Sequence, residues 1–126
     1  MKVAAVRLFF DDLAAAVPFY ARTLGLPLKF GAAEDGFAVF DGGGVDLVLE
    51  FVPDNAPEDE RVLVSRFTGI SLKVDDVQAE YRRLLDAGTR FDGVPEEQAW
   101  GGWLATLVDP GGNQLQLVQY PTPNLG

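Results

Sequence analysis

Two acidic pairs set the frame of this 126-residue chain: Asp11-Asp12 and Asp75-Asp76, which stand 64 positions apart. Each pair follows an alternating apolar stretch and opens a helical stripe. Leu8 with Leu72 and Phe10 with Val74 share the same offset. Towards the end of each half, Glu50 and Gln116 stand 66 apart, as if two residues were gained between helix and last strand. Self-similarity at a fixed period marks the duplication of one supersecondary unit. One helix and four strands cannot cover both faces of their own sheet, whereas two such units can pair their sheets around a shared cleft. The expected fold class is therefore α+β, with tandem βαβββ modules.

The elements follow from period and punctuation. Residues 3–10 alternate, with Val6, Leu8 and Phe10 on one face and Ala5, Arg7 and Phe9 on the other. Asp11 and Asp12 offer an N-cap to a helix whose apolar stripe is Leu13, Val17, Tyr20 and Leu24. Pro18 removes one donor from that helix and predicts a kink or a 3₁₀ entry turn. Gly25 is placed to end it. Strands are expected over 27–31, 37–41 and 45–52, with turns at 34–36 and 42–44. The polar stretch PDNAPEDER reads as an exposed linker. The order then recurs: a strand over 69–75, a helix with stripe Val77, Tyr81, Leu84 and Leu85, and strands over 89–93, 102–108 and 113–120. Gln78 completes a capping box if Asp75 is the N-cap. Asp109-Pro110-Gly111-Gly112 is a turn by its chemistry. This gives one domain over 1–126, with a first module over about 1–53, a linker over about 53–61 and a second module over about 67–121.

Composition narrows the chemistry. There is no cysteine, hence no disulfide and no thiol nucleophile, and no histidine, the commonest transition-metal ligand and neutral-pH base. The net charge of −9 disfavours nucleic acid and anionic membranes as partners. It serves solubility, or it attracts a cationic ligand. No apolar run has membrane-spanning length, and the N-terminus reads as a strand rather than a signal peptide, so the default location is cytoplasmic. The three glycines 42–44 lack the continuation of a phosphate loop, and no serine nucleophile motif is present.

Three stretches, taken in order, carry a family resemblance. DDLAAAVPFYARTLGL resembles the first helix of the vicinal oxygen chelate superfamily, which includes glyoxalases, bleomycin-resistance proteins and extradiol dioxygenases. ISLKVDDVQAEYRRLLDAG is similar to its second-half strand and helix, and WLATLVDPGGNQLQLV to its closing hairpin. The resemblance implies a cup-shaped, partly open, β-barrel-like sheet around one cleft. In the metal-using relatives two strands of each half supply four ligands. Carried over by position, these fall on Ala5, Glu50, Gly69 and Gln116, of which only the second and fourth carry a donor. Two donors fall short of a closed zinc or calcium site. The expectation is a metal-less branch without cofactor; a magnesium ion that keeps its waters is the one cation such a pair could hold.

If those four positions face the cavity, alternation brings their same-face neighbours with them. The candidate ligand-binding set is then Arg7, Phe9, Asp46, Val48, Glu50, Ser71, Lys73, Gln114 and Gln116, joined by Trp100 and Trp103, which the resemblance places near the hairpin bordering the cleft. Each has a plainer reading. Arg7 and Lys73 could face solvent, Phe9 could be core, and either Trp could serve a subunit interface. Glu50, between Leu49 and Phe51, needs water, a partner such as Arg7 or Lys73, or a ligand. Two functions stay open. One is a protein that binds a small organic molecule without a transition metal, sequestering a drug-like, aromatic or cationic compound. The alternative is a metal-independent or weakly metal-dependent lyase or isomerase with Glu50 as catalytic general base. The resemblance further implies a homodimer, with modules paired within a chain or across it.

Overall fold

The computed structural model describes residues 1–122. Its elements run β1 (Ala5–Phe10), α1 (Leu13–Pro18), a π-helical segment (Phe19–Thr23), β2 (Leu28–Ala32), a 3₁₀ turn (Ala33–Asp35), β3 (Phe37–Asp41), β4 (Asp46–Phe51), α2 (Glu58–Arg61), β5 (Phe67–Lys73), α3 (Val77–Asp86), β6 (Arg90–Glu97), β7 (Trp103–Val108) and β8 (Gln114–Gln119). Two open four-stranded sheets result, ordered β1-β4-β3-β2 and β5-β8-β7-β6. In each, the first strand pairs parallel with the last and the remaining contacts are antiparallel. The duplicated topology is thus the one the 64-residue offset implies. Two compact units divide the chain: Met1–Arg66 together with Asp109–Asn113, and Phe67–Val108 together with the chain from Gln114.

Each sheet is apolar on its helix-bearing face. In the first unit Leu8, Phe10, Ala38, Phe40, Leu47 and Leu49 are buried with Leu13, Ala16 and Tyr20. In the second, Ala105, Leu107, Leu115 and Leu117 are buried with Val77 and Leu84. A fully buried Leu or Phe contributes roughly 1.5–3 kcal/mol, so these two faces supply most of the driving force. The α3 stripe is narrower than the sequence suggests. Tyr81 stacks on Phe91 at 4.7 Å, but Leu85 is exposed.

Several local expectations are corrected. No 3₁₀ turn opens at Pro18; it ends the α ladder and the chain continues as a π segment. Phe19 N–H reaches back only to Ala16, and Leu24 N–H then donates to Phe19 O at 2.9 Å, one residue beyond the α spacing. The N-cap of α3 is Asp76, whose carboxylate accepts from Ala79 N at 3.1 Å, so Gln78 forms no capping box. The linker contains a helical turn, α2, and just beyond it Val64 makes a parallel bridge to Phe9. β6 runs to Glu97, past the expected residue 93, through a register shift at Gly93 (φ +84). It is an edge strand, where a bulge accommodates Pro95 and its missing donor.

The turn 109–113 is held inside the first unit by a buried polar cluster. Tyr20 Oη donates to Asp109 Oδ2 at 2.6 Å. Asp109 Oδ1 accepts from Gly111 N (2.8 Å) and Asn113 N (2.9 Å), and Asn113 Nδ2 donates to Asp109 Oδ2 at 3.2 Å. Asn113 also accepts from Arg66 N at 3.3 Å and reaches Phe9 O at 3.5 Å. Tyr20 and Asn113 are fully buried and Asp109 nearly so. Small residues are required beside them. A Cβ at Gly111 would stand 2.5 Å from the Phe10 ring, and one at Gly112 2.3 Å from Ser65 Oγ.

Burial first, then the charge and hydrogen bond of Asp109, push the Tyr20 ionisation well above its usual value near 10. Above that pH the unfolded chain releases a proton that the folded chain keeps. The stability this group contributes is therefore complete below pH 10 and falls as pH rises beyond it. Tyr20→Phe should cost about 1–3 kcal/mol at neutral pH, because a buried carboxylate loses a donor. In urea titrations above pH ~10 the wild type should lose stability more steeply than the variant, by up to about 1.4 kcal/mol per pH unit.

Candidate functional site

The face of the first sheet turned away from its helix is where alternation puts Arg7 and Phe9 of β1 and Asp46, Val48 and Glu50 of β4. Parallel pairing sets Arg7 opposite Val48 and Phe9 opposite Glu50, and β3 adds Phe37 opposite Glu50. Glu50 is held in a two-point fork: Arg7 Nε donates to Oε1 at 2.6 Å and Nη2 to Oε2 at 2.8 Å. The hydrogen bond to Glu50, and then its charge, raise the Arg7 pKa further above its ordinary value. The guanidinium also lies over the Phe9 ring, 5.3 Å from its centroid. Of the sequence options for Glu50, pairing with Arg7 is therefore the one observed. Asp46 is taken by Lys29, Nζ to Oδ1 at 2.8 Å. That hydrogen bond, together with the charges of Asp46 and Asp41, raises the Lys29 pKa despite some desolvation.

A cavity of about 240 Å³ opens beside the fork, lined by Arg7, Phe9, Glu50, Phe51, Val52, Glu60 and Leu63. Three charged side chains, Arg7, Glu50 and Glu60, share its wall with four apolar ones, and its volume lies below the roughly 300–1,000 Å³ of drug-sized ligand sites. Sequence reasoning nominated three of the seven. Glu60 was missed because it belongs to α2, in the stretch 53–61 taken for a plain linker, and Leu63 because it lies between that linker and the second module. Asp46 lines a different and more open hollow, with Lys2, Lys29 and Asp41.

In the second unit, Ser71 and Thr106 both sit opposite Gln116, whose Nε2 lies 3.4 Å from Thr106 Oγ1. Gln114 reaches Asp92 at 3.5 Å. Lys73 Nζ stands 5.9 Å from the Tyr120 ring centroid, and Tyr120 packs on Trp100 at 6.0 Å. The structure thus joins Lys73 and Trp100 through Tyr120, a residue the sequence reading passed over. Counting four along the strand from Gln116 would have found it. Trp103 does not join this face. It pairs with Gln119, whose side chain accepts from Val77 N at the start of α3, so both lie on the helix-bearing side.

The strand registers also correct the carry-over of ligand positions. Leu8 pairs with Leu49 and Leu72 with Leu117. The first strands of the two modules are offset by 64 and the last strands by 68, so the counterpart of Gln116 is Val48, not Glu50. Ala5 sits opposite Asp46, and Glu50 lies four residues further, about 13 Å along the strand by strand rise. Glu50 and the residue at position 5 therefore cannot share one ion. The four positions are Ala5, Val48, Gly69 and Gln116, and only the last carries a donor. These residues do not fit the metal that chelating relatives use. Among the described residues no group of three or more acidic, His or Cys side chains is placed to hold an ion either. Elemental analysis of the purified protein should find no stoichiometric Zn, Ni, Fe or Mn, and EDTA should leave its melting temperature unchanged. A bound equivalent of any of them would reverse this assignment.

Comparison with known proteins agrees with the geometry. Residues 2–117 match the family described as Glyoxalase/Bleomycin resistance protein/Dioxygenase superfamily. A bleomycin resistance protein of Klebsiella pneumoniae is 36% identical over 117 residues, covering 87% of this chain and 83% of that one. A crystal structure of a superfamily member from Sphaerobacter thermophilus superposes with a TM-score of 0.76 at 30% identity, covering 94% and 97% of the two chains. An antibiotic binding protein from Streptomyces does so with a TM-score of 0.69 at 28% identity, covering 97% of each.

Proposed function

Since the chain belongs to the glyoxalase/bleomycin resistance protein/dioxygenase superfamily, we propose that it works as the binding members of that superfamily do, holding a small organic molecule without a transition metal. One observation carries this reading: of the four positions where a chelating relative places ligands, only Gln116 has an atom able to coordinate. Lewis-acid stabilisation of an enediolate and iron-dependent ring cleavage both depend on that missing set. What replaces it is a strand face with an Arg7–Glu50 fork, aromatic rings and an adjoining cavity, which suits recognition. The resistance protein and the antibiotic binding protein among the relatives support the same reading.

A general-base role for Glu50 is less well supported. Both its oxygens accept from Arg7, so the carboxylate would have to leave a charge-assisted pair before taking a proton. We further propose a homodimer as the working form, with no nucleic acid or membrane partner. No helix among the described residues is long and apolar enough to cross a membrane.

A thermal-shift screen of aromatic and cationic compounds tests the function. A true ligand at a hundredfold its Kd adds about 2.7 kcal/mol, which at roughly 3–5 °C per kcal/mol for a chain of this size raises the melting temperature by roughly 8–14 °C. Mass spectrometry should then return the compound unchanged after prolonged incubation. Conversion of the ligand by wild type but not by Glu50→Gln, with binding intact in both, would establish the enzyme instead. Light scattering at micromolar concentration should give twice the 13.6 kDa chain mass; a monomer would dismiss the dimer.

A further inference from the structure

We propose that Glu60, on the helical turn α2, sets the charge preference of the cavity beside Arg7, so that this pocket takes a small organic monocation carrying a single ring. The inference rests on the small-molecule reading above and adds the chemical class of the guest. The cavity is walled on its apolar side by Phe9, Phe51, Val52 and Leu63. Its volume of about 240 Å³ leaves room for one ring with a short polar group, since a cavity of roughly 150 Å³ already holds benzene. Two rings offer faces or edges for a flat guest and for its charge.

The charges on the walls do not cancel. Arg7 directs its fork at both oxygens of Glu50, so these two form a nearly neutral unit. Glu60 then adds a carboxylate that makes no ion pair among the described residues. The next cation along the chain, Arg61, is turned the other way, onto Glu58 Oε2 at 2.7 Å and Ala56 O at 2.9 Å. One negative charge is therefore left over on the wall of the cavity. A cation on a ring neutralises it, a neutral guest leaves it solvated, and an anion is repelled by it. The local fold holds Glu60 in place: Pro57 starts the turn, its carbonyl accepts from Glu60 N and Arg61 N at 3.0 Å each, and Leu63 N returns to Glu60 O at 3.1 Å.

Benzamidinium and benzamide are nearly the same shape and differ by one charge at neutral pH. By calorimetry on the full chain, wild type should prefer benzamidinium by about fivefold, the size of one solvent-exposed ion pair. Glu60→Gln should erase that preference with little change in benzamide affinity or in melting temperature. Asp59→Asn removes an equal charge from the same turn but outside the cavity, and should keep the preference. Equal affinity of wild type for the two probes overturns the proposal. So does a preference that survives Glu60→Gln, or one lost equally in Asp59→Asn. If neither probe binds while other compounds stabilise the fold, this inference falls and the wider binding function stands. If no compound stabilises the fold at all, the binding function itself falls.

Discussion

A phenol and a carboxylate 89 residues apart in sequence, Tyr20 and Asp109, meet in the core of the first unit at 2.6 Å. Neither could be buried alone. The carboxylate is tolerable there because four donors surround it: the Tyr20 hydroxyl, two backbone amides of its own turn and the Asn113 amide. The phenol is tolerable because the carboxylate accepts its hydrogen bond and three aromatic rings, Phe10, Phe19 and Phe40, pack around it. The cluster explains three otherwise separate features of the sequence. The π segment after Pro18 carries Tyr20, the paired glycines 111 and 112 stay small against Phe10 and Ser65, and Asn113 ties the turn to the Phe9 carbonyl and the Arg66 amide. Phe9 and Arg7 share one strand with that anchor, so their face of β1 is held at its far end.

Much of the fold was legible because its signals are periodic. Alternation located the strands, the 3.6-residue stripe located two helices, and the repeat supplied the topology. What escaped depends on partners distant in sequence or on single hydrogen bonds. Nothing local says that the helix through Pro18 continues as a π segment, since the partner of its Tyr20 lies at Asp109. Nor does the stretch PDNAPEDER announce its helical turn by hydrophobic period, because a four-residue turn has none. The choice of Asp76 over Asp75 as N-cap turns on one side-chain bond to Ala79.

The site was legible as a face and not as a register. Alternation grouped Arg7, Phe9, Val48 and Glu50 correctly on one surface of the first sheet. The offset between modules was read by matching the polar residues Glu50 and Gln116, however, and loops can absorb any two-residue difference. Only the parallel ladder, Leu8 with Leu49 and Leu72 with Leu117, fixes the true correspondence. Trp103 went astray for a simpler reason. It shares parity with Ala105 and Leu107, two buried residues on the helix side, and parity outweighs closeness to a hairpin.

Gly69 gives this last point an evolutionary edge. It occupies one of the positions where a chelating relative supplies a ligand, yet its backbone is left-handed (φ +75) within the register shift of β5, with nothing within 4 Å of where a Cβ would stand. Space for a side chain is present, but the conformation strains every residue except glycine. A mutation to His or Glu would first have to rebuild the strand pairing around it, at the same time as Ala5 and Val48 also changed. Placing a ligand side chain at this position is therefore not a single substitution but a coordinated rebuilding of the strand.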